Sequence, residues 1–205
     1  MRLRLFLPLA ALLCALPAVA RADEPDERRG FTFELGIGLG YTSTQPSVGN
    51  GGISRLGLAP LSFSLGGYVS QDTAILFRAV GTSFFVDDGY DRLQLVNGFY
   101  GVVAQYWASD SVYVSAGPGL ALFAANPLLS HTHAFFDPIV GMGLDARLGF
   151  ALSRSSHDAF SIALETNPSF YSSFPQGYSR DQITQTNSGG AYVLGGAINL
   201  IWQHY

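Results

Sequence analysis

The sequence predicts an all-β fold, a closed antiparallel up-and-down eight-stranded transmembrane β-barrel. Three observations carry that prediction. Apolar and polar residues alternate with a period of two through eight segments, the spacing that puts one set of side chains on each face of a strand. The polar set is mostly Gly, Ser and Thr rather than Lys and Glu, and the segments are joined by alternately short and long connections.

The first segment, Phe31 to Tyr41, reads FTFELGIGLGY, with every odd position apolar and every even position Thr, Glu or Gly. A strand facing bulk water would carry charge on its polar side. A nearly uncharged polar face fits a narrow, crowded lumen, with the apolar face against lipid. The same reading places further strands at Leu58 to Val69, Thr73 to Phe85, Leu95 to Trp107, Val112 to Leu122, Ile139 to Leu152, Ala159 to Phe170 and Ala191 to Gln203. The fourth has apolar residues in both phases, so Leu95 or Phe99 is a candidate to fill the lumen. Pro118 cannot donate to a ladder, and a bulge or kink is expected there.

Tight turns at Ser70-Gln71-Asp72, Ala108-Ser109-Asp110 and Ser153 to Asp158 alternate with longer connections at Thr42 to Gly57, Val86 to Gln94, Phe123 to Pro138 and Tyr171 to Gly190. A membrane barrel produces this asymmetry, with short periplasmic turns and longer outer loops. Opposed residues in a hairpin share a face. The turns therefore predict Arg147 opposite Glu165, Leu148 opposite Leu164, Phe150 opposite Ile162, Leu65 opposite Phe77 and Phe63 opposite Ala79. Aromatics cluster near strand ends, with Tyr41, Phe85, Phe170, Tyr171 and Tyr192 toward the outer rim and Tyr106, Trp107, Phe160 and Trp202 toward the periplasmic rim. Two girdles suit the two membrane interfaces.

Arg2 and Arg4 precede an apolar run from Leu5 to Leu16, followed by AVARAD, the pattern of a secretory signal peptide. Cleavage after Ala22 is preferred to cleavage after Ala20. This gives a signal over 1–22, a short polar lead-in over 23–30 and the barrel over 31–205. Cys14 leaves with the signal, so the mature chain has no thiol chemistry. All 11 basic residues are Arg, and the mature chain keeps eight of them against 15 carboxylates, a net charge of −7. That balance excludes a nucleic-acid partner, which selects for a basic surface.

With strand count, loop alternation, signal peptide and a closing aromatic in place, the chain resembles the small outer-membrane barrels typified by the membrane domain of outer membrane protein A and by outer membrane protein X. The resemblance spans Phe31 to Tyr205. It implies an integral outer-membrane location, lipid and lipopolysaccharide as surroundings, and the barrel assembly machinery as a partner in biogenesis. Family members end on an aromatic in the lipid-facing phase. Here Tyr192, Leu194, Ile198, Leu200 and Trp202 set that phase and Tyr205 lies one residue outside it, so either a terminal bulge corrects it or Trp202 and Tyr205 share the role.

Glu34, Arg78, Asp145, Arg147 and Glu165 are the charged residues of the strand interiors, and all fall on the lumen phase. Buried charges are costly unless paired. Two guanidiniums among three carboxylates predict a bonded layer that plugs an eight-stranded lumen, which is just wide enough for its own side chains. A catalytic acid pair or proton path is the weaker reading, and an open pore is disfavoured. His131 and His133 with Asp137 are too few for a closed zinc site. Asp87, Asp88 and Asp91 lack a Ca²⁺-loop spacing and read as a solvated loop face. No cofactor or metal is expected.

Two rival functions remain. Lipid-A-modifying barrel enzymes show His and Ser two residues apart on one strand, and none of His131, His133 or His157 is followed by a Ser two positions on. A lipocalin-like soluble barrel reverses the faces, greasy inside and charged outside, and strands this poor in charge would leave its surface insoluble. The expectation is therefore a non-enzymatic, monomeric barrel with a structural or surface-interaction role carried by its outer loops, whose partner the sequence does not name.

Overall fold

The computed structural model describes residue 28 and residues 30–46, 54–87, 92–127, 138–173 and 189–205. Eight strands follow in chain order: β1 Phe31–Pro46, β2 Ser54–Tyr68, β3 Thr73–Asp87, β4 Arg92–Trp107, β5 Val112–Pro127, β6 Ile139–Arg154, β7 Asp158–Tyr171 and β8 Ala191–His204. Each pairs antiparallel with the next, and β1 pairs with β8, so the sheet closes on itself without an edge. Closure gives every strand a hydrogen-bonding partner on both sides, which is what allows a sheet to stand in hydrocarbon.

The strands extend past the sequence-predicted ends at the long-connection rim. Pro46 pairs with Ala191 and Asp87 with Arg92. Hydrogen bonding sustains the ladder there after alternation has faded into runs such as Thr42-Ser43-Thr44. The registers expected from the tight turns are all present: Arg147 opposite Glu165, Leu148 opposite Leu164, Phe150 opposite Ile162, Leu65 opposite Phe77 and Phe63 opposite Ala79.

The outward positions are apolar, including Ile37, Leu39, Leu61, Leu120, Met142, Leu164 and Leu200. In β4 the odd positions point inward, so Leu95 and Phe99 do fill the lumen, together with Val103. The same parity corrects the girdle. Trp107 is only 1% exposed and Tyr171 3%; both belong to the inward phase of their strands rather than to the membrane interface. Tyr41 and Tyr106 are exposed, while Tyr192 and Trp202 are half-buried on the outer surface.

Pro118 makes no bulge. Its register with β6 runs unbroken opposite Leu144, and on the β4 side pairing lapses at Val102 and Val103 and resumes in the same register. The missing N–H thus removes ladder contacts without inserting a residue. The bulge lies instead in β2, where two residues, Pro60 and Leu61, oppose Ile37, and the shift recurs against β3. A proline tolerated at a bulge needs no donor. A second bulge falls between Ala151 and Ser153.

No bulge corrects Tyr205 either. The registers of β8 run continuously to His204 on both sides, which leaves Trp202 outward and Tyr205 buried inward against Trp107, Tyr113 and Ala159.

Candidate functional site: the charged lumen

The inward face has three zones. At the long-connection end, Phe84, Leu95, Phe123, Tyr171 and Val193 form an apolar cluster. At the tight-turn end, Trp107, Tyr113 and Tyr205 form an aromatic one. Between them lie the charged residues, beside a further apolar cluster of Leu76, Val80, Phe99 and Val103 on β3 and β4.

Parity places all five on the inside, and closure of the sheet brings strands far apart in sequence within reach. Glu34 from β1, Arg78 from β3, Asp145 and Arg147 from β6 and Glu165 from β7 are each no more than 6% exposed. Arg78 is the hub. Its Nη1 lies 3.5 Å from Glu34 Oε2, its Nε lies 3.2 Å from Asp145 Oδ2, and its Nη2 meets Glu165 Oε2. Arg147 Nη2 donates to both oxygens of Glu34, at 3.1 and 2.8 Å.

One expected pair is exchanged. Arg147 and Glu165 are Cα partners, yet Arg147 reaches across the lumen to Glu34, and Glu165 is engaged by Arg78. Their side chains project toward the barrel axis, where charges from non-adjacent strands are as near as a cross-strand neighbour.

Uncharged polar groups extend the layer. Arg78 Nη1 donates to Ser64 Oγ at 3.2 Å, Asn167 Nδ2 donates to Asp145 Oδ1, and Asn199 Nδ2 donates to Glu165 Oε2 at 3.2 Å. Arg147 Nη2 also donates to Gln105 Oε1, Gln105 to Gln203, and Gln203 in turn to Thr32 and Tyr68. Sequence reasoning focused on charge and missed these amides. Their signal was inward parity in apolar strands, where an Asn or Gln must find a partner. Charge-assisted bonds of this kind are stronger than neutral ones, and together they bridge the lumen from wall to wall.

At the tight-turn rim Ser156 Oγ lies 2.7 Å from His157 Nδ1. The adjacent carboxylate is otherwise engaged, since Asp158 Oδ1 takes His204 Nδ1 and Trp202 Nε1, each at 3.0 Å. Among the described residues no carboxylate is hydrogen-bonded to the His157 ring, the third partner that a nucleophile-base-acid relay requires. Among the described residues, no group of three or more His, Cys, Asp or Glu is placed to hold a metal ion. His131, His133, Asp137, Asp88 and Asp91 lie outside the described residues, as do the signal segment 1–22 and most of the lead-in.

This closed ring of eight antiparallel strands has counterparts among solved structures. Neisserial surface protein A aligns over 85% of this chain and 96% of its own, at 15% identity and a TM-score of 0.51. The fold is that of the small outer-membrane barrels. Ail of Yersinia pestis aligns over 84% of this chain and 97% of its own, at 10% identity and a TM-score of 0.47. OprG from Pseudomonas aeruginosa aligns over 89% of this chain and 98% of its own, at 11% identity and a TM-score of 0.41. The sequence matches no family model and no curated protein.

Proposed function

We propose that this chain is an integral protein of the bacterial outer membrane, exported by its N-terminal signal, with its tight turns in the periplasm. The barrel is a plugged, non-enzymatic scaffold. Its work is a structural or surface-interaction role carried by the long connections at the outer rim. Outer-membrane lipid and lipopolysaccharide surround it, the barrel assembly machinery inserts it, and it acts as a monomer without a cofactor.

The observation that carries this reading is the inversion of faces. Leu, Ile, Phe and Val occupy the outward positions, while five ionisable side chains, each at most 6% exposed, are bonded to one another across the interior. A soluble carrier of apolar ligands needs the reverse. The wall-to-wall polar layer supports a plugged lumen, since a continuous aqueous path requires a wider ring of strands.

The test is fractionation of cells expressing the untagged protein, followed by gel mobility with and without boiling. The reading expects recovery in the outer membrane and a shift in migration on heating. Recovery in the soluble periplasm would overturn it. Planar-bilayer recordings of the purified protein should show no steady pore, and stable conductance would refute the plug while leaving the membrane location intact.

A further inference from the structure

Arg28 precedes β1 and contributes to no ladder, yet it is only 4% exposed. Its guanidinium lies 4.2 Å from the centroid of the Trp107 ring. Nη1 is 3.5 Å from Asp72 Oδ1 in the β2–β3 turn, and Nη2 is 3.4 Å from Asp110 Oδ1 in the β4–β5 turn. A flat cation stacked on an indole, with a carboxylate facing each of its terminal nitrogens, matches the geometry that distinguishes guanidinium from ammonium recognition.

The surrounding wall holds these groups in place independently of Arg28. The backbone N of Trp107 donates to the backbone O of Asp72 at 2.8 Å, joining its main chain to the first turn, and the Tyr113 ring packs 4.7 Å from the Trp107 ring. The second turn is closed by Ala108 N donating to Val112 O at 2.9 Å. Asp110 also accepts from Arg154 Nη1, and Arg154 Nε donates to Tyr205 Oη at 3.1 Å. Asp110 therefore keeps a tether when Arg28 is removed.

We propose that Trp107, Asp72 and Asp110 form a guanidinium-binding cradle at the tight-turn mouth of the barrel, filled in cis by Arg28 and open to a guanidinium group, such as an arginine side chain, from another molecule. The two carboxylates support exchange, because they are 58% and 86% exposed and so can be reached from solvent, and their contacts with Arg28 are long ones at 3.5 and 3.4 Å. The cradle does not depend on what the opposite rim binds, nor on the lumen being plugged.

The experiment titrates ethylguanidinium into the folded Arg28→Ala protein in detergent, in a Trp202→Phe background where Trp107 is the remaining tryptophan. Trp107 emission should change saturably, well below denaturing concentrations. The response should need a severalfold higher concentration when Arg28 is intact and competes in cis, be lost in Asp72→Asn/Asp110→Asn, and be much weaker with ethylammonium. No saturable change in Arg28→Ala, or an equal change with Arg28 present or with both carboxylates neutralised, overturns the proposal. Should Arg28→Ala fold poorly, the same compounds are added during refolding. The cradle then requires a severalfold gain in heat-modifiable protein from ethylguanidinium but not from ethylammonium, and equal yields refute it.

Discussion

At the scale of single residues, the lumen is governed by pairing and by space. Arg147 and Glu34 are buried and bonded to each other. Removing Arg147 leaves Glu34 with only the 3.5 Å ion pair to Arg78 and one guanidinium among three buried carboxylates, a loss of up to about 3–5 kcal/mol, whereas removing both partners restores the balance of charge in the layer. Arg147→Met should therefore lower stability to urea in bilayers more than Arg147→Met with Glu34→Gln. Equal losses in the two variants would show that the pair is not coupled. Space acts as sharply at Gly149, where an added Cβ would stand 2.1 Å from Tyr113 Cζ. Tyr113 cannot step aside freely, with Trp107 on one side and the Arg147 guanidinium 5.0 Å from its ring. Overpacking of a closed interior costs about 1–3 kcal/mol. Gly149→Ala should show that loss in equilibrium unfolding, while Gly81→Ala, whose nearest atom is Asn97 O at 3.4 Å, should not.

At the scale of the strand, parity is the organising quantity and the bulge in β2 is its informative exception. Leu56 and Leu58 are exposed at even positions and Leu61 and Leu65 at odd ones, with Pro60 in between. The extra residue lets both halves keep their apolar sides outward. Deleting Pro60 restores strict alternation and should leave a heat-modifiable barrel. Deleting Ala79 from β3, where the register runs without a break from Ser62–Val80 to Tyr68–Ala74, reverses the facing of one half-strand and should abolish that band on the gel. The change of parity across Pro60 was legible in the sequence, and Pro118 drew the attention instead. All eight strands and the hairpin registers could be read from alternation and turn residues, because both are local. The Arg147–Glu34 bond could not, since it crosses the lumen between β6 and β1 and no two-strand register encodes it. Trp107 and Tyr171 were assigned to the interface by closeness to a strand end; Tyr171 shares the odd lumen phase that Glu165 already set in β7, whereas β4, apolar in both phases, gave Trp107 no facing. Arg28 left no trace, because its partners come from two turns distant in the chain.

For the whole molecule, the deciding property is which face meets hydrocarbon, and one substitution tests it. Leu148 is outward in β6 and opposes Leu164. Along β6, Met142 pairs with Phe170 and Ser153 with Phe160, so Leu148 stands about midway between an aromatic near each rim. Its neighbour Arg147 lies in the lumen layer, bonded to Glu34, so adjacent residues of one strand occupy opposite dielectric environments. Arginine at the bilayer midplane of such a barrel costs about 2–4 kcal/mol, and less toward the interfaces. Leu148→Arg should lose that amount in urea titrations of folding into phospholipid bilayers. The same change at Leu152, at the tight-turn end of the strand, should cost about 0–1 kcal/mol. A depth-dependent loss requires hydrocarbon outside the ring. Equal and small losses at both positions would place water there, reversing inside and outside for every strand, and the buried charges would then need another explanation than a membrane.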